Sequence, residues 1–273
     1  MIGENKKDGR RYSAMIKKAG FDLITFLKHA FEERNFWTIL RILLVTLWLG
    51  WSIPFGFILQ KFKFFKKFGF SEMKKWGKRC LKIAKTNYEI IFEKQLDPAV
   101  TYMFASNHTS PFDIPILSAT IPYPAAYIAN KEFTSFFVTN YWVKSLGGVM
   151  VDKKSRSGLI IAYKAICNTM KKGNSLIIFP ESVMSGDGKV KPFKRGGLSA
   201  AVEAKASIVP IYIYNARSII KPGEMYVHKN VTIKIFFLSP IDTSMLGEEE
   251  KENIDALVYN KLKEVEEKLI LPD

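Results

Sequence analysis

The most constraining feature of the chain is an apolar run that leads directly into a histidine and an aspartate. Residues 100–105, Val-Thr-Tyr-Met-Phe-Ala, predict a buried strand. The polar residues after it, from Ser106 to Asp113, therefore follow a strand end, where α/β enzymes place their chemistry. Ser110 before Pro111 predicts the N-cap and first residue of a helix.

The spacing of His108 and Asp113 favours an acid–base pair. Asp113 falls in the first turn of the predicted helix, close enough to hydrogen-bond the imidazole. Such a carboxylate fixes the tautomer and leaves the other ring nitrogen free to take a proton from a substrate hydroxyl. The same residues also fit a structural role, in which Asp113 closes a capping box with Ser110.

A second apolar strand, residues 175–179, ends in a proline, a carboxylate and a hydroxyl: Pro180, Glu181 and Ser182. Two basic, glycine-containing stretches flank it in the sequence. The first is Gly147-Gly148-Val-Met-Val-Asp152-Lys153, and the second is Lys191-Pro-Phe-Lys194-Arg195-Gly196-Gly197. A further strand with the sequence Ile208-Val-Pro-Ile-Tyr212 follows.

These motifs, N-H-x-x-x-x-D, G-x-x-x-[DK], F-P-E and V-P-I in that order, resemble those of the glycerolipid acyltransferase family. The resemblance covers about residues 100–214. It implies transfer of a fatty acyl group from acyl-coenzyme A or an acyl-acyl-carrier-protein to the free hydroxyl of a lysophospholipid, with lysophosphatidate (acylated at its second glycerol carbon) first among acceptors. Direct transfer needs no acyl-enzyme, no cofactor and no metal.

These parts together suggest a mechanism with a role for each residue. His108 is the base, Asp113 orients it, and Asn107 at the lip of the site is one candidate donor to the oxyanion. The other candidates are a backbone amide near Pro180–Glu181 or at the start of a helix at Gly196–Gly197. The residues expected to bind substrate are Lys153, Pro180, Glu181, Ser182, Lys194, Arg195 and Gly196.

The chain departs from the family pattern at two places. Members commonly continue the glutamate with Gly-Thr-Arg-Ser, whereas here Ser182-Val183-Met184-Ser185 follows. Members often have an arginine after the aspartate of the second motif, whereas this chain has Lys153. A lysine holds a phosphate as a point charge without the two-pronged fit of arginine. The acceptor could therefore be glycerol 3-phosphate or another lysophospholipid.

Simpler interpretations of the single residues stay open. Glu181 could be a carboxylate that complements a helix start. Lys194 and Arg195 could be solvated surface cations, and Lys153 could belong to an ordinary charged strand exit. The whole chain could also be a lipid-binding protein without catalytic activity.

The first third of the chain predicts a membrane anchor. Of the net charge of +15, residues 1–100 carry +11, from 20 basic and 9 acidic residues. Residues 42–59 are uncharged and apolar, but 18 residues are at the lower limit for a span and Pro54 interrupts them. We expect residues 1–95 to form a helical, membrane-embedded hairpin, monotopic rather than single-pass, with an amphipathic helix near residues 71–85.

The basic and aromatic residues at 61–68 fit an anionic membrane surface better than a nucleic acid, since the chain carries no nucleic-acid recognition motif. No signal peptide is apparent, so the domain of residues 96–273 is expected to face the cytoplasm. Cys80 and Cys167 lie in dissimilar contexts and predict neither a disulfide framework nor a metal site.

Strands alternate with helices in the rest of the chain, which predicts an α/β fold with a mixed, mostly parallel sheet flanked by helices. Helix 158–171 has an apolar face that could line an acyl-chain groove, although core packing is the simpler expectation. The further predicted strands are 88–92, 126–129, 148–151, 208–214 and 231–237, and the further predicted helices are 111–120, 197–204 and 248–269.

Overall fold

The computed structural model describes residues 37–46, 63–132, 143–144, 146–221, 224 and 226–270. In chain order its elements are α1 (37–46), α2 (Lys63–Ile83), β1 (Asn87–Phe92), β2 (Tyr102–Ser106), α3 (Asp113–Thr120), β3 (Ala125–Asn130), β4 (Val149–Val151), α4 (Arg156–Lys171), β5 (Ser175–Ile178), α5 (Ser199–Glu203), β6 (Ser207–Tyr214), β7 (Thr232–Phe237), α6 (Glu248–Glu252) and α7 (Ile254–Ile270).

The strands form one seven-stranded sheet in the order β1-β7-β6-β2-β5-β3-β4. Only the β6–β7 pair is antiparallel among the neighbouring strands of this sheet. The central strands β2 and β5 are buried along their whole length, as expected for apolar runs covered by helices on both faces. The predicted α/β class with a mixed, mostly parallel sheet is confirmed.

Alternate residues of the central strands point to two separate cores, because side chains in a strand alternate between its faces. Phe104 and Ile177 pack with α2 and α3, whereas Met103 and Leu176 pack with α4, α5 and α7. The sheet is therefore the middle of three layers. Its rigid centre fixes the positions of the loops that leave the strand ends.

Helix boundaries differ from the predictions where local hydrogen bonds intervene. α3 begins at Asp113 rather than residue 111, since Ser110 Oγ accepts a hydrogen bond from the Phe112 N–H and forms a turn there. The predicted helix 248–269 is two helices, α6 and α7. Asn253 separates them, and its side-chain amide bonds back to the carbonyl of Glu249.

The predicted membrane-embedded hairpin lies largely outside the described residues. The amphipathic helix expected near 71–85 is α2, which starts earlier and packs on α3. Among the helices that the structure describes, none combines the length and apolarity needed to cross a bilayer.

The α2–α3 contact depends on a glycine. A Cβ atom at Gly77 would lie 2.5 Å from the carbonyl oxygen of Pro115 and 2.7 Å from the amide nitrogen of Ala119. Both atoms belong to the backbone of α3 and cannot rotate away. The two helices therefore approach each other more closely than any side chain at this position permits.

Gly77→Ala should destabilise the fold, although alanine is the better helix former. The clash with the α3 backbone is expected to cost about 1–3 kcal/mol of unfolding free energy, measured by urea denaturation. Gly186→Ala is the matched control, since a Cβ atom there meets nothing within 4 Å. Equal stability of the two variants would show that the helices do not pack as described.

Candidate active site

The sheet order brings the two predicted site segments together. β2 pairs in parallel with β5 on one side and with β6 on the other. Because carboxyl ends of parallel strands share one edge, the residues after Ser106 and after Ile178 meet there. His108 and Glu181 are consequently neighbours, and the backbone N–H of His108 donates to Glu181 Oε1 at 3.1 Å.

A single carboxylate oxygen organises the turn that carries the histidine. Asp113 Oδ2 lies 2.8 Å from His108 Nδ1 and also accepts the backbone N–H groups of Thr109 and Ser110, at 2.7 and 2.9 Å. The capping role and the acid–base pair are thus both present. Asp113 is wholly buried, and its other oxygen has no hydrogen-bond partner among the described residues.

The other ring nitrogen of His108, Nε2, makes no hydrogen bond to a described residue, and the side chain is 21% exposed. With Nδ1–H donating to Asp113, Nε2 carries the lone pair and can accept a proton from solvent or a ligand. The pair therefore has the geometry of a general base with its orienting carboxylate.

Phe179, at the end of β5, fixes the plane of this imidazole. The two rings are stacked with centroids 4.1 Å apart and planes inclined by 20°. Sequence reasoning missed this contact, although Phe179 is the first residue of the F-P-E motif. The ring of His108 is thus held by a carboxylate at its edge and an aromatic ring on its face.

Asn107 is buried below the site rather than at its lip. Its amide oxygen accepts the N–H of Ile213 at 2.8 Å, and its amide nitrogen donates to the carbonyl of the same residue at 3.1 Å. These two hydrogen bonds join the end of β2 to β6 and engage both polar atoms of the amide side chain. The structure therefore favours a positioning role for Asn107 over the oxyanion role that the sequence suggested.

Glu181 is almost entirely buried beside the histidine. Its Oε2 atom makes no hydrogen bond to a described residue. Burial raises the pKa of Glu181 to about 8, while the N–H groups of His108 and Lys191 act in the opposite direction. The carboxyl group is therefore neutral near pH 7 and can donate a hydrogen bond. A turn, not a helix, follows Pro180, so this carboxyl does not complement a helix start.

The loop after Glu181 packs against the histidine segment. Ser182 adopts the left-handed conformation with φ of 66°, and the N–H of Ser185 donates to the His108 carbonyl at 2.7 Å. Lys153 Nζ reaches across from the end of β4 and donates to the Ser182 carbonyl at 3.1 Å. These contacts connect the β4 and β5 ends around the site.

Two lysines share the rim of the site. Partial desolvation and then the neighbouring charge of Lys194 lower the pKa of Lys153, whose side chain is exposed at the rim. The backbone of Lys194 is fixed in turn by a 3.2 Å hydrogen bond from its N–H to the Pro180 carbonyl. Because the charges of the two lysines repel each other, an anion bound near both would be stabilised.

The expected open amide at Gly196 is occupied. The carboxylate of Asp255, from α7, accepts the N–H groups of Gly196 at 2.6 Å and of Leu198 at 3.0 Å. Burial raises the pKa of this carboxyl, and the charge of Arg195 partly offsets the increase. The turn before α5 is therefore already capped by a side-chain carboxyl group of the protein. Neither a phosphate nor an oxyanion finds a free donor at Gly196.

Arg217, in the 3-10 turn Ala216–Ser218 after β6, is a further residue that the sequence did not single out. Its side chain lies against Gly188 of the loop that follows Glu181, and its buried Nε has no hydrogen-bond partner among the described residues. Asp255 was missed as well. Neither residue belongs to a local motif, because each contacts a loop that follows β5 from a distant element.

Comparison with known proteins agrees with the motifs. Residues 87–214 match the sequence profile of the family described as Acyltransferase. The resemblance to this family is confirmed over these residues, which run from β1 to β6.

Curated relatives named 1-acyl-sn-glycerol-3-phosphate acyltransferase come from several organisms. The protein of Borreliella burgdorferi is 27% identical over 157 residues, which are 57% of this chain and 62% of that protein. The protein of Cocos nucifera is 30% identical over 175 residues, or 62% of this chain and 56% of that protein. The chain thus spans less than two thirds of these relatives' length.

A solved structure shares the fold. The crystal structure of the 1-acyl-sn-glycerophosphate (LPA) acyltransferase PlsC from Thermotoga maritima superposes with a TM-score of 0.69. The match covers 86% of this chain and 97% of that one, at 22% sequence identity. The α/β architecture described above is therefore also that of a known acyltransferase.

The raised pKa of Glu181 predicts a specific pH dependence of stability. The folded protein keeps this proton up to about pH 8, whereas the unfolded chain releases it near the ordinary value of 4.5. Stability from this group is therefore complete below about pH 4.5 and declines as pH rises through about 8. Glu181→Gln replaces the titratable carboxyl group with an amide, whose oxygen can still accept the hydrogen bond from the His108 N–H.

Urea denaturation of the wild type and of Glu181→Gln, at about pH 5 and about pH 9, measures this difference. The variant should gain stability relative to the wild type at the higher pH. Glu89→Gln, on the exposed strand β1, is the control and should follow the wild type. If the unfolding free energies of the wild type and of Glu181→Gln changed with pH in the same way, the carboxyl group of Glu181 would not be buried in its neutral form.

Proposed function

We propose that this protein moves a fatty acyl group from an acyl thioester to the free hydroxyl of a lysophospholipid, with lysophosphatidate as the principal acceptor and phosphatidate as product. The observation that carries the proposal is the His108–Asp113 pair at a strand end, with Nε2 free of hydrogen bonds to described residues. The pair lies within the segment that matches the acyltransferase family, and the backbone N–H of His108 bonds to the buried carboxyl group of Glu181.

The proposed reaction needs no acyl-enzyme. His108 Nε2 accepts the proton of the acceptor hydroxyl. The hydroxyl oxygen attacks the carbonyl carbon of the thioester, and a tetrahedral oxyanion forms. On collapse, the carbon–sulfur bond breaks and the imidazolium returns the proton to the leaving thiolate. One ester and one free thiol result, and His108 is regenerated. Asp113 keeps the ring oriented and stabilises the transient positive charge.

The oxyanion needs hydrogen-bond donors near His108. Asn107 is engaged with Ile213, and the Gly196 amide is engaged with Asp255. Of the candidates from the sequence, the backbone amide at Glu181 is left, and the protonated carboxyl of the same residue is a second donor. Glu181 then donates a hydrogen bond either to the oxyanion or to a glycerol oxygen of the acceptor.

Lys153 and Lys194 are proposed to hold the phosphate of the acceptor. Lys153 Nζ bonds to the Ser182 carbonyl, the backbone of Lys194 bonds to the Pro180 carbonyl, and the two charges influence each other. Their point charges replace the arginine that the family commonly carries where this chain has Met184. Arg195, exposed near Asp255, contributes charge at the rim rather than direct contact.

Membrane association is proposed for the first third of the chain. Ile42 and Val45 of α1 pack against Trp76 and Cys80 of α2, and so does Ile114, the neighbour of Asp113. Exposed apolar side chains cover the opposite side of α1: Trp37, Leu43 and Leu44. An apolar surface therefore lies next to the helix that orients His108, which suits a lipid acceptor taken from the bilayer. We further propose that the site faces the cytoplasm, where acyl donors are made.

His108→Ala should lower acyl transfer to lysophosphatidate by at least about a thousandfold, and Asp113→Asn by at least about a hundredfold, because the base is lost or misoriented. The readout is product formation from a labelled acyl thioester. His228→Ala is the matched control. His228 forms a similar pair with Glu224 at 2.6 Å on the surface, and its loss should leave transfer unchanged.

The same variants distinguish an enzyme from a lipid-binding protein without activity. His108→Ala should still bind vesicles that contain lysophosphatidate, since the imidazole acts on the hydroxyl rather than on the headgroup. A wild-type protein that binds these vesicles but consumes no thioester with any lysolipid acceptor would refute the proposed activity.

Lys153→Ala and Lys194→Ala should raise the KM for lysophosphatidate about tenfold each while changing kcat less, because a charge-assisted contact to the phosphate is lost. Uncharged monoacylglycerol, which lacks the phosphate, serves as the comparison acceptor. Its KM should not change. Equal effects on both acceptors would place the two lysines in a structural role.

A further inference from the structure

Helix α4 exposes apolar residues where a soluble helix carries polar ones. Leu159, Ile160 and Ile161 are consecutive and are exposed to 47%, 48% and 68%. The buried face of the helix is formed instead by Ala162, Ile166 and other residues further along. Single exposed apolar residues are common, but three in succession on the first turns form a continuous patch.

This patch lies at the edge of the sheet that carries the active site. α4 starts directly after β4, which is parallel to β3, and β3 is parallel to β5. The helix therefore begins at the carboxyl edge, where His108 and Glu181 lie. Lys153, between β4 and α4, bonds to Ser182, whose neighbour Val183 is 64% exposed.

Basic side chains surround the patch. Residues 152–164 contain four basic residues and one acidic residue, Asp152. The nearby pair Lys131 and Glu132 adds no net charge, and these residues form ion pairs with Asp152 and Lys154. An exposed apolar turn with a surplus of three positive charges matches the composition of a membrane-contacting helix end.

We propose that the N-terminal end of α4 is a second membrane-contact surface, in which Leu159, Ile160 and Ile161 enter the acyl boundary of an anionic phospholipid bilayer. Together with the N-terminal third it makes the carboxyl edge of the sheet face the membrane. The exposed part of His108 is then close to lipid on two sides. The three inserting side chains are not among the residues proposed to bind the acceptor or to act in catalysis.

An environment-sensitive fluorophore on a single new cysteine reports insertion directly. Cys80 and Cys167 are buried, so a dye added to the folded full-length Ile161→Cys variant reacts at the exposed position. Met245→Cys is the matched control. Met245 is 82% exposed and follows Ile241, which pairs with Ile208 at the start of β6, on the opposite edge.

Mixed vesicles of phosphatidylcholine and phosphatidylglycerol should shift the emission of the dye at position 161 to the blue, and doxyl-labelled lipids should quench it. The dye at position 245 should stay in water. Vesicles of phosphatidylcholine alone should give at least about fivefold weaker apparent binding, because the basic residues then lack their partner.

A dye at position 161 that stays in water while the protein is bound to anionic vesicles would overturn the proposal. So would a blue shift that depends on protein concentration without vesicles, since a second copy would then cover the patch. Acyl transfer by the labelled protein is measured in parallel. Continued transfer with no insertion would refute the surface without affecting the proposed catalytic function.

Discussion

The site depends on one carboxylate oxygen that accepts three hydrogen bonds. Asp113 Oδ2 holds the imidazole of His108 and two backbone N–H groups of the turn between β2 and α3. Because the aspartate is fully buried, this oxygen has little competition from water. The interaction that closes the start of α3 is therefore the same one that fixes the tautomer of the proposed base.

The surroundings of this carboxylate explain why the other parts lie where they do. Asn107 fastens the end of β2 to β6, and Glu181 fastens the start of the turn to the end of β5. Phe179 covers the imidazole from the side of β5. Each contact comes from a strand that neighbours β2, so the order of the sheet determines which residues surround His108.

Sequence reasoning predicted the features that arise from local patterns. The apolar runs located all seven strands of the described sheet to within two residues, and the histidine–aspartate spacing placed the pair correctly. Features that depend on distant partners could not be predicted. The Asp255 carboxylate that occupies Gly196, the stacking of Phe179 and the commitment of Asn107 to Ile213 each join segments that only the folded sheet brings together.

His108 is proposed to activate the acceptor itself, so that the acyl group never rests on the protein. The order of events can be followed by rapid mixing of the enzyme with a labelled acyl thioester, with and without lysophosphatidate. Thiol release should require the acceptor and should proceed at the rate of phosphatidate formation. A burst of thiol without acceptor, accompanied by label that stays on the denatured protein, would contradict the account.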